Sequence, residues 1–184
     1  MAMTLHWLIA ALIVTNIGLA WYFNSLNGLP KIPPVQLHKS FGITILLLSL
    51  ARLAWRIVSP PPPLPASLSR WERMAASTVY VLFYGVMIGM PLSGWALTSA
   101  SLIIRFEPIK LFGTIPWPAI GPLTHLPAPA MKQTHDTFVT VHGLLADLAY
   151  GLIVVHVAAA LRHLVLLRDG VMGRMVPFLP AASA

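Results

Sequence analysis

The chain has 184 residues, of which 57% are hydrophobic and only 9% charged, whereas about a quarter of the residues of a soluble domain are charged. Its 12 Lys and Arg outnumber its 5 Asp and Glu, giving a net charge of +7, but a nucleic-acid-binding protein would be far less apolar. Since the chain lacks cysteine, disulfides, iron–sulfur ligation and covalent c-type haem attachment are excluded. We therefore expect an integral membrane protein, without a nucleic-acid partner, whose chemistry runs through its seven histidines.

Four apolar stretches follow one another along the chain, and each is long enough to cross a bilayer as a helix. A helix needs about 20 apolar residues to cross a hydrocarbon core about 30 Å thick. The first stretch has no basic lead and no small-residue cleavage site, so we expect a retained helix and not a signal peptide. The predicted fold is all-α, a single membrane domain over residues 1–184 that forms a four-helix bundle. Its predicted spans are residues 4–24, 38–58, 74–100 and 137–166.

The connections between the predicted helices are rich in proline. The run from Ser59 to Pro65 cannot be helical, so we expect a stiff extended linker after the second helix. The stretch from Ser101 to Gln133 contains six prolines and is expected to be an interfacial loop with little regular structure. Pro91 lies within the third apolar stretch, where we expect a kink. No internal repeat or soluble domain is apparent in the sequence.

The distribution of basic residues favours an orientation with both termini in the cytoplasm. Seven of the 12 Lys and Arg residues would then lie inside and five outside. Four of the seven, Arg52, Arg56, Arg70 and Arg73, flank one short connection, where the positive-inside rule is most reliable. We therefore predict a multi-pass membrane protein with cytoplasmic termini.

Four of the histidines fall at two depths of the predicted bundle. His6 lies one turn into the first helix and His38 at the start of the second, so the two are near opposite membrane surfaces. His142 and His156 are 14 residues apart on the fourth helix. They point to nearly the same face of that helix, about 21 Å apart along its axis. His6 thus shares a depth with His156, and His38 shares a depth with His142.

Two such pairs match the axial ligands of two b-type haems stacked across a bilayer. Haem iron accepts an imidazole on each side, and a four-helix bundle can hold the porphyrin between facing helices. Each histidine taken alone could equally be hydrogen-bonded between helices, but the pairing across helices favours ligation. Small residues such as Gly42, Gly143 and Gly151 would let a flat ring approach, although they also suit ordinary helix packing in lipid.

Three basic residues are candidates for contacts with the cofactor. Arg52 and Arg56 lie on one face at the inner end of the second helix. They would anchor lipid headgroups, pair with haem propionates, or do both. Lys39, next to His38, would bind a propionate or an anionic substrate at the outer face.

The remaining histidines are weaker candidates. His163 follows His156 by two helical turns, so it would either contact a haem propionate or a quinone, or extend to the membrane surface. His125 and His135 lie in or beside the predicted outer loop, and we expect both to be solvated.

The segments that contain these residues resemble the bacterial cytochrome b561 family. Members of that family are small four-helix dihaem membrane cytochromes, related to the cytochrome b subunits of hydrogenases and formate dehydrogenases. The matching segments are spread over nearly the whole chain. They are Leu5–Leu8, Leu37–Gly42, Arg52–Arg56, Pro91–Trp95, Val141–Ala146, His156–His163 and Arg168–Gly170.

The resemblance implies specific ligands and a specific activity. It implies two haem b groups, one held by His6 and His156 and the other by His38 and His142. It also implies electron exchange with a quinone in the bacterial inner membrane. For one branch it implies a superoxide oxidase, which oxidises periplasmic superoxide and reduces ubiquinone. Family members have a short basic or polar lead before the first histidine, whereas five residues precede His6 here.

Two other functions remain open from the sequence. The first is a membrane anchor and electron partner for a periplasmic redox protein, which would dock on the long outer loop. The second is a haem-free, histidine-lined proton or metal transporter. The scarcity of carboxylates argues against a transporter, because a polar pathway across the membrane needs such groups.

Overall fold

The computed structural model of the chain describes residues 2–60, 69–168 and 170–176. Four long helices account for most of these residues, and each is long and apolar enough to cross a membrane. The predicted all-α fold of four membrane helices is thereby confirmed. The helices are α1 Ala2–Asn24, α2 Ile32–Val58, α3 Arg70–Ser99, a single-turn α4 Gly121–Thr124, and α5 Ala128–Leu161, which continues as a π-helix over Arg162–Leu167.

Many large apolar side chains point outward from the long helices. Trp21 on α1 and Val154 on α5, for example, are 66% and 68% exposed. Exposed apolar surface on this scale is unfavourable in water, whereas lipid tails solvate it well. The outer faces of the bundle are therefore suited to contact with the bilayer.

Both α2 and α5 begin before their predicted spans. Their first turns contain Pro33 and Pro129 respectively, and proline is tolerated there because the first N–H groups of a helix have no partner within the helix. The expectation of an irregular loop as far as Gln133 is therefore wrong for its last six residues, which belong to α5. The helix α3 continues through Pro91. Most of the predicted proline-rich linker, residues 61–65, lies outside the described residues.

The start of α3 is fixed by a capping box. The Glu72 backbone N–H donates to Ser69 Oγ (3.3 Å), and the Ser69 N–H donates to Glu72 Oε2 (3.0 Å). These two bonds satisfy backbone donors that the helix itself leaves unpaired. Glu72 also accepts a hydrogen bond from Arg162 at the end of α5 (3.3 Å), so the cap holds α3 and α5 together.

Each long helix packs mainly against the next long helix in the chain. The helix α1 packs against α2, α2 against α3, and α3 against α5, whereas α5 approaches α1 and α2 much less closely. One apolar cluster joins the first three helices, and a second joins α3 to α5. The first cluster contains Ile9, Ile45, Tyr84 and Met87. The second contains Val86, Ala149 and Leu152. The space that this leaves between α5 and the α1–α2 pair is where the histidines meet.

A structured loop covers the end of the bundle between α3 and α5. It contains a short antiparallel hairpin of β1, Lys110–Leu111, and β2, Ile115–Pro116. The loop is tied to α2 by the Phe112 N–H, which donates to Ser40 Oγ (2.9 Å), and to α3 by the Ile120 N–H, which donates to Ser99 Oγ (3.0 Å). We call this end of the bundle the loop end. The opposite end, where α1 begins and α5 ends, is the terminus end.

Candidate functional site

Four histidines form two pairs across the space between α5 and the α1–α2 pair. At the terminus end, the ring centroids of His6 on α1 and His156 on α5 are 6.1 Å apart, with an interplanar angle of 66°. At the loop end, the centroids of His38 on α2 and His142 on α5 are 6.3 Å apart, with an angle of 71°. The structure therefore brings together the same residues that the sequence pairs by depth.

The spacing within each pair fits two imidazoles on opposite sides of one iron. A metal–imidazole bond is about 2 Å long, and the ring centre lies roughly 1 Å beyond the bonding nitrogen, so the two ring centres would be about 6 Å apart. Both observed distances agree with this value. A flat macrocycle also needs open space between the helices. Such space is present, because α5 packs closely against α3 but much less closely against α1 and α2.

The imidazoles at the loop end are held by hydrogen bonds. His38 Nδ1 donates to the main-chain oxygen of Asn16 (3.1 Å). His142 Nδ1 lies 3.1 Å from the Met90 carbonyl oxygen and 2.9 Å from Ser93 Oγ. Since a carbonyl can only accept, Nδ1 carries the proton in both rings and Nε2 keeps its lone pair. This is the tautomer that ligation of a metal through Nε2 requires.

A close approach between α3 and α5 further restricts His142. A Cβ atom added at Gly94 would lie 3.2 Å from His142 Cε1 and 3.5 Å from its Nδ1. Glycine at this position therefore lets the imidazole lie directly against α3, within reach of Ser93.

The imidazoles at the terminus end have different surroundings. The ring of His6 packs edge-on against Trp7 (5.4 Å between centroids), and that of His156 packs against Phe83 (5.3 Å). In the part of the chain that the structure describes, neither imidazole makes a hydrogen bond. Arg52 of α2 is close enough for its charge to act on both.

The two arginines of α2 have separate surroundings although they share a helix face. The Arg56 guanidinium stacks 3.8 Å above the centre of the Tyr80 ring, a cation–π contact that keeps it beside α3. The Tyr80 ring in turn packs against that of Tyr84 at 4.9 Å. Of the two arginines, Arg52 is therefore the one whose charge acts on both terminus-end histidines. Pairing of Arg52 with a haem propionate remains a prediction.

The other predicted residues lie at the two ends of the bundle. Lys39 is at the loop end, close enough to Glu107 of the loop for the carboxylate charge to act on it. Glu107 accepts a hydrogen bond from Gln36 (3.4 Å). His163 is at the terminus end, within the π-helix that extends α5. Neither belongs to the histidine pairs.

The two remaining histidines are also at the loop end. His125 Nδ1 lies 2.8 Å from the main-chain oxygen of Gly121, and His135 Nδ1 lies 3.2 Å from Asp136 Oδ1. Both are surface contacts within their own local segments.

Sequence reasoning does not identify the groups that hold the loop-end imidazoles. Ser93 and Gly94 are recognisable only as part of the Pro91–Trp95 segment, to which the sequence assigns no role. The Asn16 and Met90 acceptors are main-chain atoms, so the sequence carries no signal for them.

Comparison with known protein families gives one match over nearly the whole chain. The family model described as prokaryotic cytochrome b561 matches residues 1–178.

Curated relatives are similar over most of their length. Cytochrome b561 homolog 2 of Escherichia coli strain K12 is 31% identical over 176 residues, which is 93% of this chain and 86% of that protein. The probable superoxide oxidase CybB of Yersinia pestis is 29% identical over 177 residues, covering 94% of this chain and 92% of the relative. Cytochrome b561 homolog 1 of Escherichia coli strain K12 is 28% identical over 148 residues, which is 77% of this chain and 74% of that protein.

Proposed function

The chain belongs to the prokaryotic cytochrome b561 family, and from that premise we propose that it carries electrons between two haem b groups and the quinone pool. Membership makes the chain a haem b-binding electron-transfer protein and a multi-pass protein of a bacterial membrane. We propose in addition that it binds two haems, exchanges electrons with a quinone, lies in the inner membrane and has both termini in the cytoplasm.

The observation that carries this proposal is the presence of two histidine pairs, one toward each end of the bundle. Each pair has the centroid spacing of two axial ligands of one iron, 6.1 Å and 6.3 Å. Because His142 and His156 lie on one helix, the two irons would be about 20 Å apart along the bundle axis. Two such centres would let electrons cross most of the membrane in one transfer.

The specific reaction that we propose is oxidation of superoxide at the loop end and reduction of ubiquinone. Two superoxide anions each lose one electron and leave as O₂, and ubiquinone takes up two electrons and two protons to give ubiquinol. One supporting fact is the similarity to the probable superoxide oxidase of Yersinia pestis. Another is the set of basic residues at the loop end, which would attract an anionic substrate. They are Lys31, Lys39, Arg105, Lys110 and Lys132.

Residues beside the two pairs have proposed roles in the same reaction. Arg52, beside the terminus-end histidines, would pair with a haem propionate, and Arg56 would hold the neighbouring surface through Tyr80. His163 would contact a propionate or the quinone at the terminus end. Lys39 would lie where superoxide approaches the loop end.

Rapid mixing of the purified, oxidised protein with superoxide tests the reaction. Haem reduction at a rate that approaches the diffusion limit and falls with ionic strength is expected, because the attraction is electrostatic. Subsequent mixing of the reduced protein with ubiquinone should reoxidise the haems. A protein whose haems are reduced by dithionite but not by superoxide would exclude the superoxide reaction while leaving the electron carrier intact.

A second candidate is an electron partner for a periplasmic redox protein. The observation in its favour is the exposed apolar surface of the loop, where Phe106 is 84% and Ile115 57% exposed. Co-purification of a stable complex from the native membrane would support this function, whereas a monodisperse protein that completes the superoxide reaction alone would count against it.

A third candidate, a haem-free proton or metal transporter, predicts a colourless protein. The described residues contain no group of three or more His, Asp or Glu side chains that could bind a metal ion together. A dithionite-reduced minus oxidised spectrum with a b-type α-band would exclude this function.

A further inference from the structure

The hairpin of the structured loop, residues 110–116, packs on α2 and leaves two large apolar side chains exposed. We propose that this exposed side of the hairpin, formed by Phe112 and Ile115, contacts the lipid acyl chains of the leaflet at the loop end, at the depth of the loop-end histidine pair. The occupant of this apolar surface is then the bilayer and not a protein partner. The inference requires the membrane-spanning bundle but no particular reaction.

The face of α2 beneath the hairpin continues into a face that is exposed farther along the helix. Ser40 and Ile43 are buried at the loop end, and Ile43 belongs to one apolar cluster with Leu111 of β1. Seven residues after each of the two come Leu47 and Leu50, at nearly the same angle around the helix, and both are exposed. The hairpin therefore occupies the place that lipid takes farther along α2, and its outer side is turned toward the bilayer.

The tip of the hairpin reaches the depth of the loop-end histidines. The Phe112 N–H donates to Ser40 Oγ (2.9 Å), and the Phe112 ring packs against that of Phe41 (5.8 Å between centroids). Ser40 lies two residues beyond His38, which is about 3 Å farther from the start of α2. It is also about 200° around the helix from His38, so the hairpin lies on the opposite side of α2 and does not cover the histidine pair.

The exposed side chains of the hairpin are those that lipid, and not water, would favour. Phe112 and Ile115 are 50% and 57% exposed. Phe112 also has a left-handed backbone (φ 52°), which bulky residues rarely adopt and for which turns commonly use Asn or Gly. An exposed aromatic ring at such a position costs free energy in water, whereas acyl chains solvate it. Lys110, at the base of the hairpin, is exposed and long enough to extend to the headgroups.

The backbone of the hairpin is suited to this depth. Non-helical backbone is tolerated within a membrane only where the protein itself covers it and satisfies its polar groups. The strand β1 packs on α2, and the Thr114 N–H donates to the Leu111 oxygen (3.1 Å). The Phe112 N–H is satisfied by Ser40, and Pro116 has no N–H to satisfy. The contact with lipid is therefore made by side chains, while the protein pairs these backbone donors.

Spin labels on single cysteines test the location, because the chain has no cysteine of its own. Phe112→Cys and Ile115→Cys would be labelled in the full-length holoprotein in phospholipid nanodiscs. Collision with O₂, which concentrates in lipid, is compared with collision with a water-soluble nickel chelate. Val154→Cys, on the exposed apolar side of α5, is the lipid reference, and Gln133→Cys, exposed at the loop end, is the water reference. A haem spectrum and haem content equal to those of wild type show that each labelled protein is folded.

Both hairpin labels should behave like the label at Val154, accessible to O₂ and shielded from nickel. Accessibility to nickel equal to that at Gln133 would place the hairpin in water and overturn the proposal. Shielding from both probes would show that protein, such as a second copy of the chain, covers the hairpin, and would overturn the proposal as well.

Substitution of Ser40 tests the contact that holds the hairpin on α2. Ser40→Ala leaves the Phe112 N–H without its acceptor, and where lipid surrounds the hairpin no water replaces that acceptor. We expect a lower midpoint of thermal unfolding in nanodiscs and greater motion of the label at Ile115, with unchanged haem content. The matched control is Ser49→Ala, because Ser49 is also buried on α2 but its hydroxyl has no hydrogen-bond partner among the described residues. Equal behaviour of the two variants would indicate that water satisfies the freed N–H and would contradict the lipid location.

Discussion

Single residues fix the geometry of the loop-end pair more tightly than that of the terminus-end pair. His142 is held by Ser93 and Met90 and lies directly against Gly94, whereas His6 and His156 have aromatic rings and Arg52 beside them. Loss of a contact at the loop end should therefore affect ligation directly. At the terminus end, substitution of a neighbouring residue such as Arg52 should mainly alter the charge beside the two histidines.

An added methyl group at Gly94 should displace His142. In Gly94→Ala, the new Cβ would lie 3.2 Å from His142 Cε1, a contact that the imidazole can relieve only by turning away from its position. We expect the haem content to fall from two toward one per chain, measured as pyridine haemochromogen relative to protein. Gly85→Ala, also on α3 but with nothing within 4 Å of the added Cβ, is the control. Equal and full haem content in both variants would contradict the close approach.

The sequence can predict which histidines pair, but not what holds them. Pairing follows from depth, because positions along helices that cross a membrane are counted in steps of about 1.5 Å. The role of Ser93 does not follow, since a serine in an apolar helix most often bonds only to a carbonyl of its own preceding turn. Ser93 makes such a bond to Met90 and receives His142 in addition. Only the positions of α3 and α5 relative to one another show this.

At the scale of the elements, α5 carries one ligand of each pair and α3 holds α5 in place. The apolar cluster of Val86, Ala149 and Leu152 joins the two helices at mid-depth, and the ion pair of Glu72 with Arg162 joins them at the terminus end. The capping box that starts α3 therefore also presents Glu72 to Arg162 at the end of α5.

Removal of this cap should destabilise the protein without changing its haems. Ser69→Ala deletes the side chain that accepts from Glu72, and loss of an N-cap typically costs about 1 kcal/mol. We expect a lower midpoint of thermal unfolding in detergent, with unchanged haem content and spectrum. Ser77→Ala, at an exposed interior position of α3, should not lower the midpoint. A stability of Ser69→Ala equal to that of wild type would show that the cap does not stabilise the folded chain.

The ends of the helices and the surroundings of Arg52 and Arg56 are less accessible to sequence reasoning. The prolines near residue 128 indicate a loop as readily as a first helical turn, since proline suits both. Arg52 and Arg56 lie on one helix face, so their spacing predicts a shared role. The structure separates them because the Tyr80 ring holds Arg56 beside α3.

At the scale of the whole molecule, the packing order explains why a cofactor would lie between the helices. Each long helix packs against the next, but α5 does not pack closely against α1 or α2, the helices that carry the partners of its two histidines. Side-chain contacts, such as those between the paired imidazoles and between Trp21 and Tyr150, bridge α1 or α2 and α5. A bound haem would fill this space and add apolar contacts, so we expect the protein without haem to be less stable.

The predicted orientation can be tested on the intact protein. With both termini in the cytoplasm, a fluorescent protein fused to the C-terminus should fluoresce in cells, and a fused alkaline phosphatase should be inactive. The reason is the excess of basic residues at the terminus end, which the positive-inside rule retains in the cytoplasm. The opposite pair of results would place the loop end in the cytoplasm and remove the site at which periplasmic superoxide is proposed to react.

The haem content of ligand variants tests the central claim most directly. That claim is that His38 with His142 and His6 with His156 each hold one haem b. The wild-type protein should contain two haems per chain, and His38→Ala and His156→Ala should each contain one, with different midpoint potentials for the haem that remains. Full haem content in either variant, or a wild-type protein with a single haem, would contradict the assignment.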